Sequence, residues 1–256
     1  MKLARIAHPG GLAFASIEES ADGQVAREIK DHPFGTPEFS GRSWPLPDVR
    51  LLAPILPSKI IGVGRNYADH AAEMGNAVPD EPLLFLKPST SIIGPNARIL
   101  LPPSSARVEF EGELAVVIGL PAREVRAENA HTVILGYTIA NDVTARDLQK
   151  LDVQFTRGKG FNTFCPLGPW IETELDPAEL ALQTDVDGDI KQDGHTSDMV
   201  HKVGALIEYI SEIMDLLPGD VILTGTPAGV GPIEAGETVS VTIEGIGTLS
   251  NPVAYR

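Results

Sequence analysis

Arg107-Val108-Glu109-Phe110-Glu111-Gly112-Glu113-Leu114-Ala115-Val116-Val117-Ile118 is the stretch on which the reading of this chain turns. Its second half is an unbroken apolar run rich in β-branched residues, which predicts a buried strand. Its first half spaces Glu109, Glu111 and Glu113 two residues apart. Side chains alternate across a strand, so this spacing predicts three carboxylates on one face, where like charges repel. A bound divalent cation relieves that repulsion. A solvated strand face is the plainer account of alternating acids, but a second acidic position favours the cation: Asn141-Asp142 closes the apolar run Leu135 to Ala140, so Asp142 can supply a third ligand. Carboxylate donors suit Mg²⁺ first, with Mn²⁺ or Ca²⁺ as alternatives, and do not suit zinc or copper.

The composition narrows the function classes. A length of 256 residues supports a large core in one domain, or in one domain with a small appendage. The single cysteine, Cys165, excludes an internal disulfide and a cysteine-rich metal cluster. It precedes Pro166 among apolar residues, which reads as a buried structural thiol. The formal net charge of −15, with no block of lysines or arginines, repels phosphate backbones and argues against nucleic acid as a partner. No apolar stretch approaches the ~18 residues of a membrane span, and Met1 to Ile6 leads into His8-Pro9-Gly10 instead of an apolar signal core. The expectation is a soluble, cytoplasmic protein that does not engage membranes.

Outward from the glutamate stretch, residues 1–57 carry short alternating pieces and a loop rich in proline and glycine, and read as a small N-terminal β domain. Residues 58–256 read as the main domain. Further strands are predicted at Lys59 to Gly64, Leu83 to Leu86, Leu135 to Ala140, Asp220 to Thr224 and Thr238 to Ile243. Apolar residues at 203, 206, 207, 210, 213 and 214 predict one amphipathic helix that stops before Pro218-Gly219. A shorter helix is expected after Asp142, capped by Thr144. The fold class is therefore mixed, a β-rich α+β protein.

Other residues carry chemistry only in combination. His70 and Glu73, three apart, share one face of a helix, and the carboxylate can fix the imidazole tautomer for proton abstraction. Gly62-Val63-Gly64-Arg65-Asn66-Tyr67 begins like a dinucleotide fingerprint, yet Tyr67 replaces the third glycine. Lys159 lies between Gly158 and Gly160, which let the backbone approach a ligand closely, or it is a solvated surface lysine. Thr224-Gly225-Thr226-Pro227-Ala228-Gly229 offers backbone N–H groups and hydroxyls for gripping a carboxylate, or serves as a plain tight turn.

Taken together, these segments closely resemble the fumarylacetoacetate hydrolase family over roughly Lys59 to Pro252. The resemblance rests on Gly64 to His70, Phe85-Leu86-Lys87-Pro88, Glu111-Gly112-Glu113-Leu114, Asn141 to Asp147, Gln192 with Thr196-Ser197, and Gly219 to Pro227. It implies coiled mixed β-sheets around a metal cleft, a small N-terminal domain and commonly a homodimer. It also implies metal ligation by Glu111, Glu113 and Asp142, a water-activating pair of His70 and Glu73, and an active-site lysine at Lys159, with Glu109 outside the metal's ligands. Arg65, Gln149 and Thr226 are expected to bind substrate. Gly160 stands where many members carry serine, and the glycine is expected to loosen that loop.

The activity expected from this resemblance is Mg²⁺-dependent cleavage of a C–C bond in a 2-oxo (di)carboxylic or β-diketo acid, by hydrolysis or decarboxylation through a metal-stabilised enolate. Similar members include acylpyruvate hydrolases, oxaloacetate decarboxylases and 2-hydroxyhepta-2,4-diene-1,7-dioate isomerases. The alternative reaction is tautomerisation of 2-hydroxy-dienedioates in aromatic catabolism. From another class, the alternative is a non-catalytic binder of oxalate-like acids.

Overall fold

Seven consecutive residues, Gly112–Ile118, form a strand with every side chain buried, because both faces of its sheet are covered. On one face Leu114, Val116 and Ile118 pack with Ile139, Leu182 and the helix Val203–Ile213. On the other, Ala115 and Val117 pack with Leu3, Ile60, Leu167 and Val221. The computed structural model describes residues 1–256. Its largest sheet has twelve strands. Across it run Phe39–Pro45, Gly23–Ile29, Gly11–Ser20, Lys2–His8, Cys165–Glu172, Ile134–Asn141, Gly112–Ile118, Val221–Leu223, Ile60–Gly64 and Leu83–Lys87. Most neighbours are antiparallel, but Val221–Leu223 runs parallel to Ile60–Gly64, which makes the sheet mixed. The β-rich fold class expected from the sequence is the one observed.

The first four strands continue this sheet: Lys2–His8 pairs with Cys165–Glu172, with Lys2 opposite Glu172. A five-stranded sheet, ordered Asp189–His195, Ala181–Val186, Thr238–Ile243, Gly247–Tyr255 and Ile99–Leu101, packs over the strand carrying Glu113. A three-stranded sheet joins Thr144–Ala145, Val108–Phe110 and Gly231–Pro232.

The helix Val203–Ile213 follows the predicted spacing, burying Val203, Leu206, Ile207 and Ile210, each worth about 1.5–3 kcal/mol against exposure. Met214 lies just beyond it in extended backbone, and Ile213 faces solvent. The short helix after Asp142 spans Arg146–Leu151 and has no side-chain cap. Thr144, expected to cap it, donates its hydroxyl to the Asp142 carbonyl at 2.8 Å instead, because the strand Thr144–Ala145 intervenes before the helix begins.

A candidate metal and acid–base cleft

The single strand expected across Glu109, Glu111 and Glu113 is broken at Glu111. Val108–Phe110 pairs within the three-stranded sheet, and Gly112 opens the strand in the large sheet opposite Asn141. Glu109 is thereby separated from the other two glutamates and is tied to Arg107 at 2.5 Å and to Arg146 at 2.6 Å. None of these acids is solvated: Glu109, Glu111, Glu113 and Asp142 are at most 4% exposed. Glu111, Glu113 and Asp142 converge, each offering an oxygen within 4.8 Å of the others.

The backbone beneath them is closely held. Glu111 N–H donates to Asn141 Oδ1 at 3.0 Å, and Asp142 N–H donates to the Glu111 carbonyl at 2.8 Å. Gly112 separates the two glutamates because nothing larger fits. A Cβ there would lie 2.2 Å from Thr184 Oγ1, on the overlying five-stranded sheet. Gly225 N–H donates to Glu113 Oε2 at 2.7 Å.

The charges are unevenly matched. Asp142 receives Lys87 Nζ at 2.5 Å and Lys159 Nζ at 2.6 Å. Glu111 receives Lys159 at 2.6 Å and Arg146 at 2.5 Å. Burial opposes ionisation of Glu111, but the charges of Lys159 and Arg146 overcome it and hold the carboxyl well below its usual range. Glu113 has no cationic partner. Burial first, then the charges of Asp142 and Glu111, push its pKa well above the ordinary carboxyl value. Lys159 is buried, which disfavours its charge, yet Asp142 and Glu111 raise its pKa. Three buried oxygen donors, one without a direct ion pair, fit a hard divalent cation.

His70 and Glu73 fall on the helix Ala68–Glu73, with His70 Nδ1 3.3 Å from Glu73 Oε2. Gly229 N–H donates to both Glu73 oxygens at 3.2 Å. A carboxylate only accepts, so Nδ1 is the donor in this contact. Arg65, His70, Glu111, Glu113, Asp142, Gln149, Lys159 and Thr226 all line one cleft of about 250 Å³. Glu73 does not line it and touches a lining residue at His70. Arg65 turns the chain from strand to helix at φ +57°, a conformation uncommon outside glycine.

Several glycines serve packing instead of ligand approach. A Cβ on Gly62 would strike the Phe85 ring at 2.2 Å, so the fingerprint-like Gly62-Val63-Gly64 accommodates an aromatic ring of the cleft wall. Gly158 lies against Gln149, and a Cβ on Gly160 would meet the Thr156 carbonyl at 2.5 Å. The expected loosening by Gly160 is corrected accordingly, since the glycine permits a tight turn. Lys87, Asn141 and Arg146 hold the acids in place although no role was predicted for them. The available signal was a charged residue ending an apolar strand at Lys87, and an arginine just beyond Asp142.

These features define a class of protein: an enzyme fold of mixed β-sheets whose cleft gathers oxygen donors beside an imidazole. The chain belongs to the fumarylacetoacetate hydrolase family, matching the family model described as fumarylacetoacetate (FAA) hydrolase C-terminal over residues 59–254 and one described as Rv2993c-like, N-terminal over residues 1–54. Among curated relatives, it is 62% identical to Protein Rv2993c of Mycobacterium tuberculosis over 100% of this chain and 99% of that one. It is 42% identical to human oxaloacetate tautomerase FAHD2A, mitochondrial, over 82% of this chain and 71% of the relative. Among solved structures, 5-carboxymethyl-2-hydroxymuconate delta-isomerase from Mycobacterium smegmatis superposes with a TM-score of 0.95 at 58% identity, covering 100% of both chains. Fumarylpyruvate hydrolase from Pseudomonas aeruginosa, in complex with Mn²⁺ and pyruvate, gives 0.75 at 31% identity over 81% of this chain and 92% of that one. No helix here is long and apolar enough to cross a membrane.

Proposed function

We propose that this protein is a divalent-metal-dependent enzyme of 2-oxo dicarboxylic acids that moves a proton between carbon and oxygen, interconverting keto and enol forms. The observation that carries this reading is the convergence of Glu111, Glu113 and Asp142 in the same cleft as His70. Glu111, Glu113 and Asp142 would hold the cation, Mg²⁺ by first choice. When bound, it supplies Lewis-acid stabilisation of the negative charge that develops on the 2-oxo oxygen.

The remaining work falls to side chains. His70, its tautomer set by Glu73, takes the proton from the carbon next to the oxo group and delivers it to the oxo oxygen, or carries it from the enol oxygen to that carbon in the reverse direction. Gln149 Oε1 accepts from Arg146 at 2.7 Å, which directs its amide N–H groups to a substrate oxygen. Lys159, at 4% side-chain exposure, places a fixed positive charge at the floor of the cleft. Arg65 and Lys150 line the cleft without an acidic partner and suit the second carboxylate of a dianion. Similarity to a protein named oxaloacetate tautomerase and to one titled an isomerase favours proton transfer over bond cleavage.

Hydrolysis of an acylpyruvate is the second reading, favoured by the His70–Glu73 pair, which suits activation of water. One experiment separates them. Purified protein with Mg²⁺ is given enol-oxaloacetate, monitored by its enol absorbance, and in parallel fumarylpyruvate, monitored by pyruvate release. Accelerated enol decay without pyruvate supports the tautomerase. Pyruvate release alone supports the hydrolase, and inactivity on both with Mg²⁺ or Mn²⁺ rejects the enzyme assignment. Thermal unfolding with added Mg²⁺ tests the metal site separately, since a ligand at 100 times its Kd stabilises by about 2.7 kcal/mol.

A further inference from the structure

Between the two glutamates of the cleft, the backbone N–H and carbonyl of Gly112, which belong to successive peptide units, are both held by groups from elsewhere in the chain. Its N–H donates to Gln192 Oε1 at 3.0 Å, and its carbonyl accepts the Thr226 hydroxyl at 2.7 Å. Gln192 Nε2 closes the ring, donating to Thr226 Oγ1 at 2.7 Å and to the Pro227 carbonyl at 2.8 Å. Gln192 is 0% exposed and belongs to the strand Asp189–His195, at the edge of the five-stranded sheet.

The directions of these bonds are forced. Gly112 N–H can only donate and the Pro227 carbonyl can only accept, so the amide of Gln192 has one permitted orientation. The Gly112 carbonyl can only accept, so the Thr226 proton must point to it. Thr226 therefore has no hydroxyl proton left to give a substrate. Every polar atom of the Gln192 side chain is engaged, and no other residue type offers one acceptor and two donors at that reach.

We infer that Gln192 is a positioning residue for the metal site: through the ring it makes with Thr226, it fixes the two peptide units that flank Gly112 and hence the spacing of Glu111 and Glu113. The inference rests on the metal reading given above. Glu111 is also held by Asn141 and Glu113 by Gly225, but Gln192 and Thr226 grip the residue between them, and Gln192 does so from a different sheet. Residues that hold metal ligands in place typically cost 10–100-fold in metal affinity when lost.

The test is calorimetric titration of the metal-free protein with Mn²⁺, with the unfolding midpoint of each metal-free variant recorded beside it. Gln192→Met, matched in volume but without donors, is expected to bind Mn²⁺ at least tenfold more weakly while unfolding cooperatively. Wild-type affinity in folded Gln192→Met overturns the inference, because a purely structural glutamine would lower the midpoint and leave affinity intact. Should that variant not fold, Thr226→Val and Thr226→Ser decide: valine is expected to weaken Mn²⁺ binding and serine to retain it, and equal affinity in both overturns the inference. Absence of Mn²⁺ binding by the unaltered protein at millimolar concentration overturns the metal reading and this inference with it. Binding by the unaltered protein and equally by its variants overturns the inference alone.

Discussion

Lys87 Nζ lies 2.5 Å from Asp142 Oδ1, and neither side chain reaches solvent. Lys87 ends the strand Leu83–Lys87, whereas Asp142 follows Ile134–Asn141, four strands away in the same sheet. The pair bridges the curve of the sheet and holds Asp142 towards Glu111 and Glu113. Its energetic value is asymmetric, because forming it costs desolvation while breaking it strands a buried charge.

Lys87→Met is expected to destabilise the metal-free protein by about 3–5 kcal/mol, the usual cost of removing one partner of a buried ion pair. Urea denaturation monitored by circular dichroism measures it. A loss below about 1 kcal/mol would show that Lys159 alone compensates Asp142.

His70→Ala is expected to lower kcat by about 10²–10⁴-fold, the usual contribution of a positioned acid–base group. Mn²⁺ affinity should be unchanged, because His70 does not supply an oxygen to the acidic triad. Glu73→Gln should show a smaller loss of kcat, since the amide oxygen can still accept the Nδ1 proton. Steady-state kinetics together with calorimetry separates these effects, and a fall in metal affinity in His70→Ala would reassign the histidine.

Burial pushes the Cys165 thiol up to about 12, and Tyr137 is likewise pushed up to about 12 by burial. A pKa raised in the folded state means that the unfolded chain ionises first as pH rises. The stabilisation is complete below the ordinary thiol value near 9 and is lost as pH climbs towards about 12. Unfolding midpoints recorded from pH 7 to 10.5 should therefore fall above pH 9, and Cys165→Ala should flatten the first part of that fall. In the native protein at pH 8 the thiol should remain unreactive to a disulfide reagent until denaturant is added.

Gly160→Ser is expected to destabilise this chain by about 1–3 kcal/mol, the range for overpacking. The added Cβ meets the Thr156 carbonyl at 2.5 Å, and the turn must open to admit it. Because Lys159 lies within this turn, kcat should fall as well. Unchanged stability would mean that the turn relaxes at little cost.

Much of the fold was legible along the chain because burial leaves a local signature. Ile60–Gly64, Leu83–Lys87, Gly112–Ile118 and Thr238–Ile243 were each readable as apolar or alternating runs between turn residues, and Val203–Ile213 as a three-and-four spacing. Pairing partners carried no such signature. That Gly112–Ile118 lies between Ile134–Asn141 and Val221–Leu223, a hundred residues later in the chain, depends on contacts no local pattern encodes.

For the candidate site the sequence by itself determined the chemistry: two glutamates around a glycine, an aspartate ending a strand, and a histidine three residues before a glutamate. Composition and residue order suffice for that, because donor type and helical or strand spacing are local properties. The family resemblance implied which acids converge, and the tertiary structure supplied the reason. The strand breaks at Glu111, sending Glu109 to Arg146 and leaving Glu113 without a direct ion pair. It also decided why the intervening residue is glycine and what Gln192 holds, since both depend on a second sheet packed against the first. The physical reason is range: steric fit and charge compensation act across space between elements far apart in sequence, whereas propensity and periodicity act along the chain.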